Sequence, residues 1–191
     1  MSEALHKLVI LDRDGVINAD SDNYIRTVDE WNPLPGSIEA IASLSKAGYL
    51  IAVATNQSGL ARGYFDEITL ANMHNLMCEL VEAAGGRIDV ICYCPHAPAE
   101  NCACRKPKLG LLEQIGAALD LSVQGAWLVG DHEKDMQMAV AGGCKPVLVQ
   151  TGKGSSEASK LPAHLRTQVK IVDDLAAAAL FILAQDGCNI S

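Results

Sequence analysis

Residues 7–15 read KLVILDRDG, a short apolar run followed directly by the polar segment Asp-Arg-Asp-Gly. A continuous apolar run of this length is typical of a strand that is buried on both faces of a sheet. Asp12 and Asp14 follow the run, and their carboxylates repel each other unless they share a cation or a proton. The stretch therefore predicts a buried first strand that ends at an acidic loop, although Asp-x-Asp after a strand can also be a plain turn.

Strands and helices alternate along the rest of the chain. The sequence predicts further strands at 50–54, 88–93, 126–129 and 146–149, and helices at 37–47, 66–84, 109–119, 134–141 and 173–184. Because parallel neighbours need a crossover connection, this order predicts an α/β fold, a three-layer, Rossmann-like, doubly wound parallel sheet. Residues 152–159 (GKGSSEAS) are polar and predict a flexible loop within a single domain that spans residues 1–191.

The composition restricts the partners of this chain. Its 191 residues, 49% of them hydrophobic, are enough for one core, and its net charge of −8 disfavours nucleic acid and anionic membranes as partners. No apolar stretch reaches the about 18 residues of a membrane span, and residues 1–11 lack a signal-peptide pattern. We therefore expect a cytoplasmic protein that binds neither nucleic acid nor membrane. Its small fold, without room for a lid domain, leads us to expect a monomer.

Polar clusters follow three of the predicted strands, at 12–14, 55–58 and 130–135. In parallel sheets ligands bind beyond the carboxyl ends of the strands, so these clusters should face one site. Carboxylates such as Asp12 and Asp131 suit Mg²⁺, a hard ion that prefers oxygen ligands. Thr55 offers a hydroxyl donor and Lys106 a positive charge, although either segment alone can equally be an ordinary turn or a solvated surface loop.

A segment rich in cysteine and histidine lies at residues 92–106. Cys94, His96, Cys102 and Cys104 supply three thiolates and an imidazole, enough for a closed tetrahedral zinc site. Four protein ligands leave no open position, so the zinc should be structural and should fix the loop that carries Arg105 and Lys106. The remaining cysteines, Cys78, Cys144 and Cys188, are expected to pack as small apolar residues. Cys92 lies two residues before Cys94 and is a competing candidate ligand, although alternation along the strand favours a packing role for it.

The order and spacing of these segments resemble the haloacid dehalogenase superfamily of phosphatases. The matching segments are Asp12-x-Asp14-Gly15, Thr55-Asn56, Lys106 ahead of a helix, and Gly130-Asp131-x-x-x-Asp135. The resemblance implies a haloacid dehalogenase-like fold with an inserted zinc-binding loop.

The same resemblance implies a role for each matching residue. Asp12 would attack phosphorus, and Asp14 would protonate the leaving oxygen and then activate water. Thr55 and Lys106 would hold the phosphoryl oxygens. Mg²⁺ would be bound by Asp12, the backbone carbonyl of Asp14 and Asp131, with Asp135 as support behind them.

Within that superfamily, the segments at 12–18, 55–63, 94–96 and 104–107 look like those of the D,D-heptose 1,7-bisphosphate phosphatases. This likeness implies removal of the 7-phosphate of a small sugar bisphosphate during synthesis of a nucleotide-activated heptose for lipopolysaccharide core or surface glycans. It also implies a set of substrate-binding residues, namely Asp20, Ser21, Asp22, Asn23, Asn56, Gln57, Ser58 and Arg105. Histidinol-phosphate phosphatases share several of the segments, and a non-catalytic phosphate-binding scaffold is a further alternative.

Overall fold

The computed structural model describes residues 7–185 and 187 of the chain. Its strands are β1 (Leu8–Leu11), β2 (Leu50–Asn56), β3 (Val90–Cys94), β4 (Trp127–Gly130), β5 (Lys145–Val149) and β6 (Lys170–Val172). They form one parallel sheet in the order β3-β2-β1-β4-β5-β6. Cys188, which we expected to pack as an apolar residue, lies outside the described residues.

Helices connect successive strands. They are α1 (Ser37–Lys46), α2 (Glu67–Ala83), α3 (Gly110–Leu119), α4 (Glu133–Ala141), α5 (Gly154–Lys160), α6 (Ala163–Arg166) and α7 (Leu175–Gln185), with short 3-10 helices at Val28–Glu30 and Pro98–Glu100. The longest, α2, begins after Asp66, whose carboxylate accepts a hydrogen bond from the Thr69 N–H and so satisfies a free donor of the first turn. Within the described part of the chain, no helix has the length and apolar character that crossing a bilayer requires.

Alternate residues of each strand face opposite layers of helices. On β1, Val9 and Leu11 pack in a core with α1, α2 and α7, whereas Leu8 and Ile10 pack in a second core with α3, α4 and α6. All four side chains are fully buried, because both faces of the sheet are covered. The predicted three-layer, doubly wound parallel sheet is therefore confirmed.

The strand order places the loops that matter for function. The chain runs from β1 outward to β2 and β3 and then returns to β4 on the other side of β1. Strand order thus reverses at β1, and a crevice opens there beyond the carboxyl ends of the strands. The segments that follow β1, β2 and β4 all meet at this crevice.

Several short elements differ from the sequence predictions. Residues 152–159 were expected to be a flexible loop, which is wrong, because α5 begins at Gly154 and only the residues before it form a turn. A Cβ on Gly154 would lie 1.7 Å from the Val149 carbonyl oxygen. The first residue of α5 is therefore in close contact with the end of β5, and only glycine fits at this position. The three-residue edge strand β6, the four-residue helix α6 and the two 3-10 helices were not predicted either.

Candidate active site

The crevice at the end of β1 is a polar cavity of about 290 Å³. It is lined by most of the predicted site residues, namely Asp12, Asp14, Asp20, Ser21, Asp22, Thr55, Asn56, Gln57, Ser58, Arg105, Lys106, Asp131 and Asp135. Asn23 is exposed next to this lining, and its N–H bonds to the Ser21 hydroxyl. Residues from four separate stretches of sequence therefore meet in one small space.

Lys106 is the buried cation of this cavity. Its Nζ lies 2.9 Å from Asp12 Oδ1 and 2.7 Å from Asp135 Oδ1. Burial opposes its charge, but the two carboxylates outweigh burial and raise the pKa of Lys106 above its usual range. Lys106 therefore stays charged in direct contact with Asp12.

Asp12, Asp131 and Asp135 form an acidic cluster whose ligand oxygens all lie within 4.8 Å of one another. Burial raises the pKa of Asp12 well above its ordinary value, and Asp135 and Asp131 add to the rise while Lys106 opposes it. Burial and the neighbouring Asp135 likewise raise the pKa of Asp131 to about 7. Carboxylates that resist ionisation for these reasons are suited to a divalent cation, and oxygen ligands fit Mg²⁺.

The segment at Thr151–Lys153 supports this cluster and was not recognised from the sequence. The Lys153 N–H donates to Asp131 Oδ2 at 2.8 Å, and the Thr151 hydroxyl donates to the Gly15 carbonyl at 2.7 Å. Gly152 has a φ of +56° and lies so close that a Cβ there would be 2.2 Å from Asp131 Oδ2. This turn therefore orients the Asp131 carboxylate from behind.

The Asp14 carboxylate is held by side chains rather than by the acidic cluster. It accepts hydrogen bonds from Arg13, Asn18 and Gln57. Although burial opposes ionisation, the charge of Arg13 and these hydrogen bonds lower the pKa of Asp14 below its ordinary value.

The end of β2 supplies hydrogen-bonding groups to the opposite wall of the cavity. Thr55 is buried, and its Oγ1 accepts a hydrogen bond from Gln57 Nε2 at 2.9 Å, which leaves the Thr55 hydroxyl hydrogen available to a ligand. Asn56 Oδ1 accepts the Lys106 N–H at 3.2 Å and so ties the β2 loop to the basic segment.

The predicted zinc ligands converge at the end of β3. Cys94, His96, Cys102 and Cys104 place one ligand atom each within 4.8 Å of the others. The distances from Cys94 Sγ to Cys102 Sγ and from His96 Nδ1 to Cys104 Sγ are 3.5 Å and 3.3 Å. The edges of a tetrahedron of sulfur and nitrogen around zinc are about 3.5–3.8 Å, so the cluster can hold zinc.

The zinc loop is coupled to the cavity. Arg105 Nη1 donates to the carbonyl of His96, one of the predicted ligands, at 3.2 Å, and Lys106 follows directly in the chain. Cys92 packs in the core with α3 and Cys144 packs there too, as expected. Zinc at this position would hold the backbone from which both basic side chains reach the cavity.

Several residues that line the cavity were not among the predicted site residues. They are Tyr24, Ile25, His132, Lys134 and Lys153. Lys153 Nζ lies 3.4 Å from Asp20 Oδ2 across the entrance, a contact between residues far apart in the chain. The only available signal was position, since His132 and Lys134 lie within the polar cluster after β4.

Comparisons with known families agree with this geometry. The profile of a family described as "Polynucleotide kinase 3 phosphatase" matches residues 7–139, and that of a family described as "HAD-hyrolase-like" matches residues 103–178. Together the two matches include every carboxylate of the acidic cluster. Both descriptions name hydrolytic enzymes.

Individual relatives match almost the whole chain. A protein from Pseudomonas aeruginosa named D-glycero-beta-D-manno-heptose-1,7-bisphosphate 7-phosphatase is 54% identical, over 92% of this chain and 97% of its own. A relative of the same name from Neisseria meningitidis serogroup A is 47% identical, over 94% and 96%. The crystal structure of a D,D-heptose 1,7-bisphosphate phosphatase from B. bronchiseptica, complexed with magnesium and phosphate, is 45% identical, covers 94% of this chain and 99% of its own, and has a TM-score of 0.88.

Proposed function

We propose that the chain, which belongs to the family of D-glycero-beta-D-manno-heptose-1,7-bisphosphate 7-phosphatases within the haloacid dehalogenase superfamily, hydrolyses the 7-phosphate of that sugar bisphosphate and releases heptose 1-phosphate. The observation that carries this proposal is the meeting of Asp12, Lys106 and Asp131 in one cavity of a chain from this family. The product would supply the synthesis of an ADP- or GDP-activated heptose for lipopolysaccharide core or surface glycans.

In the first step a carboxylate oxygen of Asp12 forms a bond to the phosphorus of the 7-phosphate. The bond between phosphorus and the sugar oxygen breaks as that oxygen receives a proton from Asp14, so the sugar leaves as an alcohol. Because Arg13 and the hydrogen bonds to Asp14 favour its ionised form, Asp14 has to take up this proton before the step, and in each further turnover the proton is the one it removes from water. Lys106 and the Thr55 hydroxyl hold the phosphoryl oxygens during the transfer, and positive charge at this place stabilises the transition state.

In the second step water hydrolyses the aspartyl phosphate. Asp14, now ionised, takes a proton from the water as the water oxygen bonds to phosphorus. The bond from phosphorus to Asp12 breaks, which releases inorganic phosphate and returns Asp12 to its carboxylate form. Splitting the hydrolysis in this way replaces one slow displacement by two easier ones.

Asp12, Asp131 and the backbone carbonyl of Asp14 are the groups that would hold Mg²⁺. When bound, the ion supplies positive charge that offsets the charge of the transferring phosphoryl group. Asp135 supports the site by binding Lys106 and by accepting the His132 N–H at 3.1 Å. Its carboxylate oxygens are thereby occupied, which fits a supporting role better than that of a direct ligand.

Substrate recognition would fall to the rim of the cavity. Arg105 is the cation suited to the second phosphate, because its planar fork matches phosphate oxygens. The segment at 20–23 and the residues Asn56, Gln57 and Ser58 would line the sugar. The relatives are named for the beta anomer, and we propose the same preference for this chain.

A panel of phosphate esters tests this function. We expect kcat/KM with Mg²⁺ to be at least about 100-fold higher for the beta anomer of the heptose bisphosphate than for histidinol phosphate, a difference of about 2.7 kcal/mol in transition-state stabilisation. A 3′-phosphorylated oligonucleotide should react poorly, since the chain carries a net charge of −8. A preference for histidinol phosphate would overturn the assignment of the heptose bisphosphate as the substrate. If no ester releases phosphate, a non-catalytic phosphate-binding scaffold would be favoured instead.

Three further properties belong to the same proposal. The chain would act as one domain over residues 1–191, as a monomer, in the cytoplasm. The thiol-rich zinc loop supports a reducing compartment, because such thiols remain available to a metal there. Light scattering of the purified chain would test the monomer, and cell fractionation would test the compartment.

A further inference from the structure

Arg13 is a buried charged residue to which the proposed mechanism assigns no role. It lies between the two aspartates that follow β1, and only 1% of its surface is exposed. Burying a guanidinium is costly unless it is paired and hydrogen-bonded. A buried arginine at this point therefore needs a structural or a chemical reason.

The Arg13 guanidinium is directed at the Asp14 carboxylate. Nε and Nη2 donate to Asp14 Oδ1 at 3.1 and 2.8 Å, and Nη2 also lies 3.0 Å from Asp14 Oδ2. Asn18 Nδ2 donates to Oδ1 at 2.9 Å and Gln57 Nε2 donates to Oδ2 at 2.9 Å. The planar fork of arginine thus fixes the plane of the carboxylate, which a point charge cannot do.

The far side of Arg13 is anchored to other elements. Nη1 lies 3.4 Å from Nε2 of His74 on α2, and Nη2 donates to Gln57 Oε1 at 3.2 Å in the loop after β2. The orientation of Asp14 is therefore tied through one side chain to β2 and α2, elements that are packed in the core.

The fold of the loop itself does not require the Arg13 side chain. The Arg13 backbone carbonyl accepts the N–H groups of Val16, Ile17 and Asn18, at 3.2, 2.8 and 3.2 Å. The turn after β1 is thus held by main-chain hydrogen bonds that any residue at position 13 can make. This observation argues against a purely structural reason for the buried charge.

We propose that Arg13 is a positioning residue that holds the Asp14 carboxyl group in the orientation needed to pass its proton to the departing sugar oxygen. The proposal rests on the proposed function of Asp14 as acid and base. It does not depend on which sugar phosphate is the substrate. The hydrogen bonds of the Arg13 side chain go to Asp14, Gln57 and His74, whereas its backbone N–H, which any residue at this position keeps, donates to Asp12 Oδ1 at 2.7 Å.

Leaving groups of different basicity separate positioning from stability. An alkoxide needs a proton as it departs, whereas p-nitrophenolate is a stable anion that leaves without one. The ratio kcat/KM reports events up to the first irreversible step, here the transfer of the phosphoryl group to Asp12. Loss of a well-placed acid should therefore lower kcat/KM for a sugar phosphate and spare it for p-nitrophenyl phosphate.

The experiment compares Arg13→Met and Arg13→Lys with wild type on both kinds of ester. Since positioned acids contribute about 10²–10⁴-fold, we expect Arg13→Met to lose about 100-fold in kcat/KM for the sugar phosphate and less than about threefold for p-nitrophenyl phosphate. Arg13→Lys keeps the buried charge without the fork, so a smaller but equally selective loss is expected. In a protein that already carries Asp14→Asn, adding Arg13→Met should not lower kcat/KM for the sugar phosphate any further.

Arg87→Met is the matched control. Arg87 also binds an aspartate nearby in sequence, with Nε 2.7 Å from Asp89 Oδ1, but it is exposed and lies outside the cavity. It should leave both kcat/KM values as in wild type. Equal losses on both esters in the Arg13 variants, or no loss on the sugar phosphate, would overturn the proposal.

Two precautions keep the outcome clear. The sugar phosphate is the one that wild type hydrolyses fastest, so failure of the heptose assignment does not affect the comparison. If Arg13→Met does not fold, Arg13→Lys alone is compared with wild type. An equal loss of kcat/KM for both esters in that variant contradicts the proposal that Arg13 positions Asp14.

Discussion

His74 is a buried histidine that its surroundings keep neutral. Burial and the adjacent charge of Arg13 lower its pKa to about 4. In the unfolded chain the imidazole returns to its ordinary pKa of about 6.5, so between these values the unfolded chain binds a proton that the folded protein does not. The contribution of His74 to stability is therefore lost as pH falls from about 6.5 towards 4.

We expect His74→Gln to weaken this pH dependence. Glutamine keeps an acceptor for Arg13 but does not titrate. Between pH 7 and 5.5 the variant should lose about 1 kcal/mol less free energy of unfolding than wild type. Urea unfolding of the zinc-loaded proteins at both pH values measures this difference, with zinc content checked at each. If wild type and variant lose the same free energy of unfolding between the two pH values, the pKa of His74 is not lowered in the folded protein as its environment indicates.

Single residues were predictable only where the order of motifs identified them. Asp12, Lys106 and Asp131 each follow a recognisable break in the apolar pattern, and all line the cavity. The contacts of Asp14 with Arg13 and Gln57 were not predictable, since periodicity gives the face of an element but not the partner across the sheet. The roles of the site residues stay predictions until variants are assayed.

The proposed zinc loop, residues 92–106, carries the basic wall of the cavity. Its four candidate ligands lie at 94–104, and the next two residues, Arg105 and Lys106, line the cavity. Structural zinc contributes directly to folding free energy. Loss of one ligand should therefore affect both the stability of the protein and the placement of the two cations.

We expect Cys102→Ser to bind less zinc than wild type and to unfold about 5–10 °C lower, with a reduced kcat/KM for the sugar phosphate. Metal analysis, thermal unfolding and kinetics on the same samples measure this. Cys78→Ser is the control, because Cys78 lies on α2 outside the loop. If Cys102→Ser has the zinc content and the melting temperature of wild type, the proposal that this site binds a structural zinc ion is contradicted.

Regular elements with apolar periodicity were predicted within a few residues, whereas α5, the four-residue helix α6 and β6 were missed. Only Gly154 of α5 is buried, so its sequence carries no amphipathic stripe. The helix is held by tertiary contacts instead, such as the Glu157 carboxylate accepting the Glu133 N–H at 3.0 Å. The edge strand β6 has three residues, too few to show a period of two.

The molecule as a whole concentrates opposite charges at one point. The chain carries a net charge of −8, yet Lys106 is buried between carboxylates, and Arg105, Lys134 and Lys153 line the same cavity. Strand order brings these groups together, because β1 lies between β2 and β4 and the chain crosses back at this place. The alternation of strands and helices was enough to predict the edge of the sheet at which the site lies.

Phosphorus NMR of the beta heptose bisphosphate mixed with the protein and Mg²⁺ tests the central claim most directly. We predict that the 7-phosphate signal disappears, that one equivalent of inorganic phosphate appears and that the 1-phosphate signal remains. Asp12→Asn should abolish the change without unfolding the protein, since Lys106 keeps its pair with Asp135. Loss of the 1-phosphate first, or normal turnover by Asp12→Asn, would contradict the account.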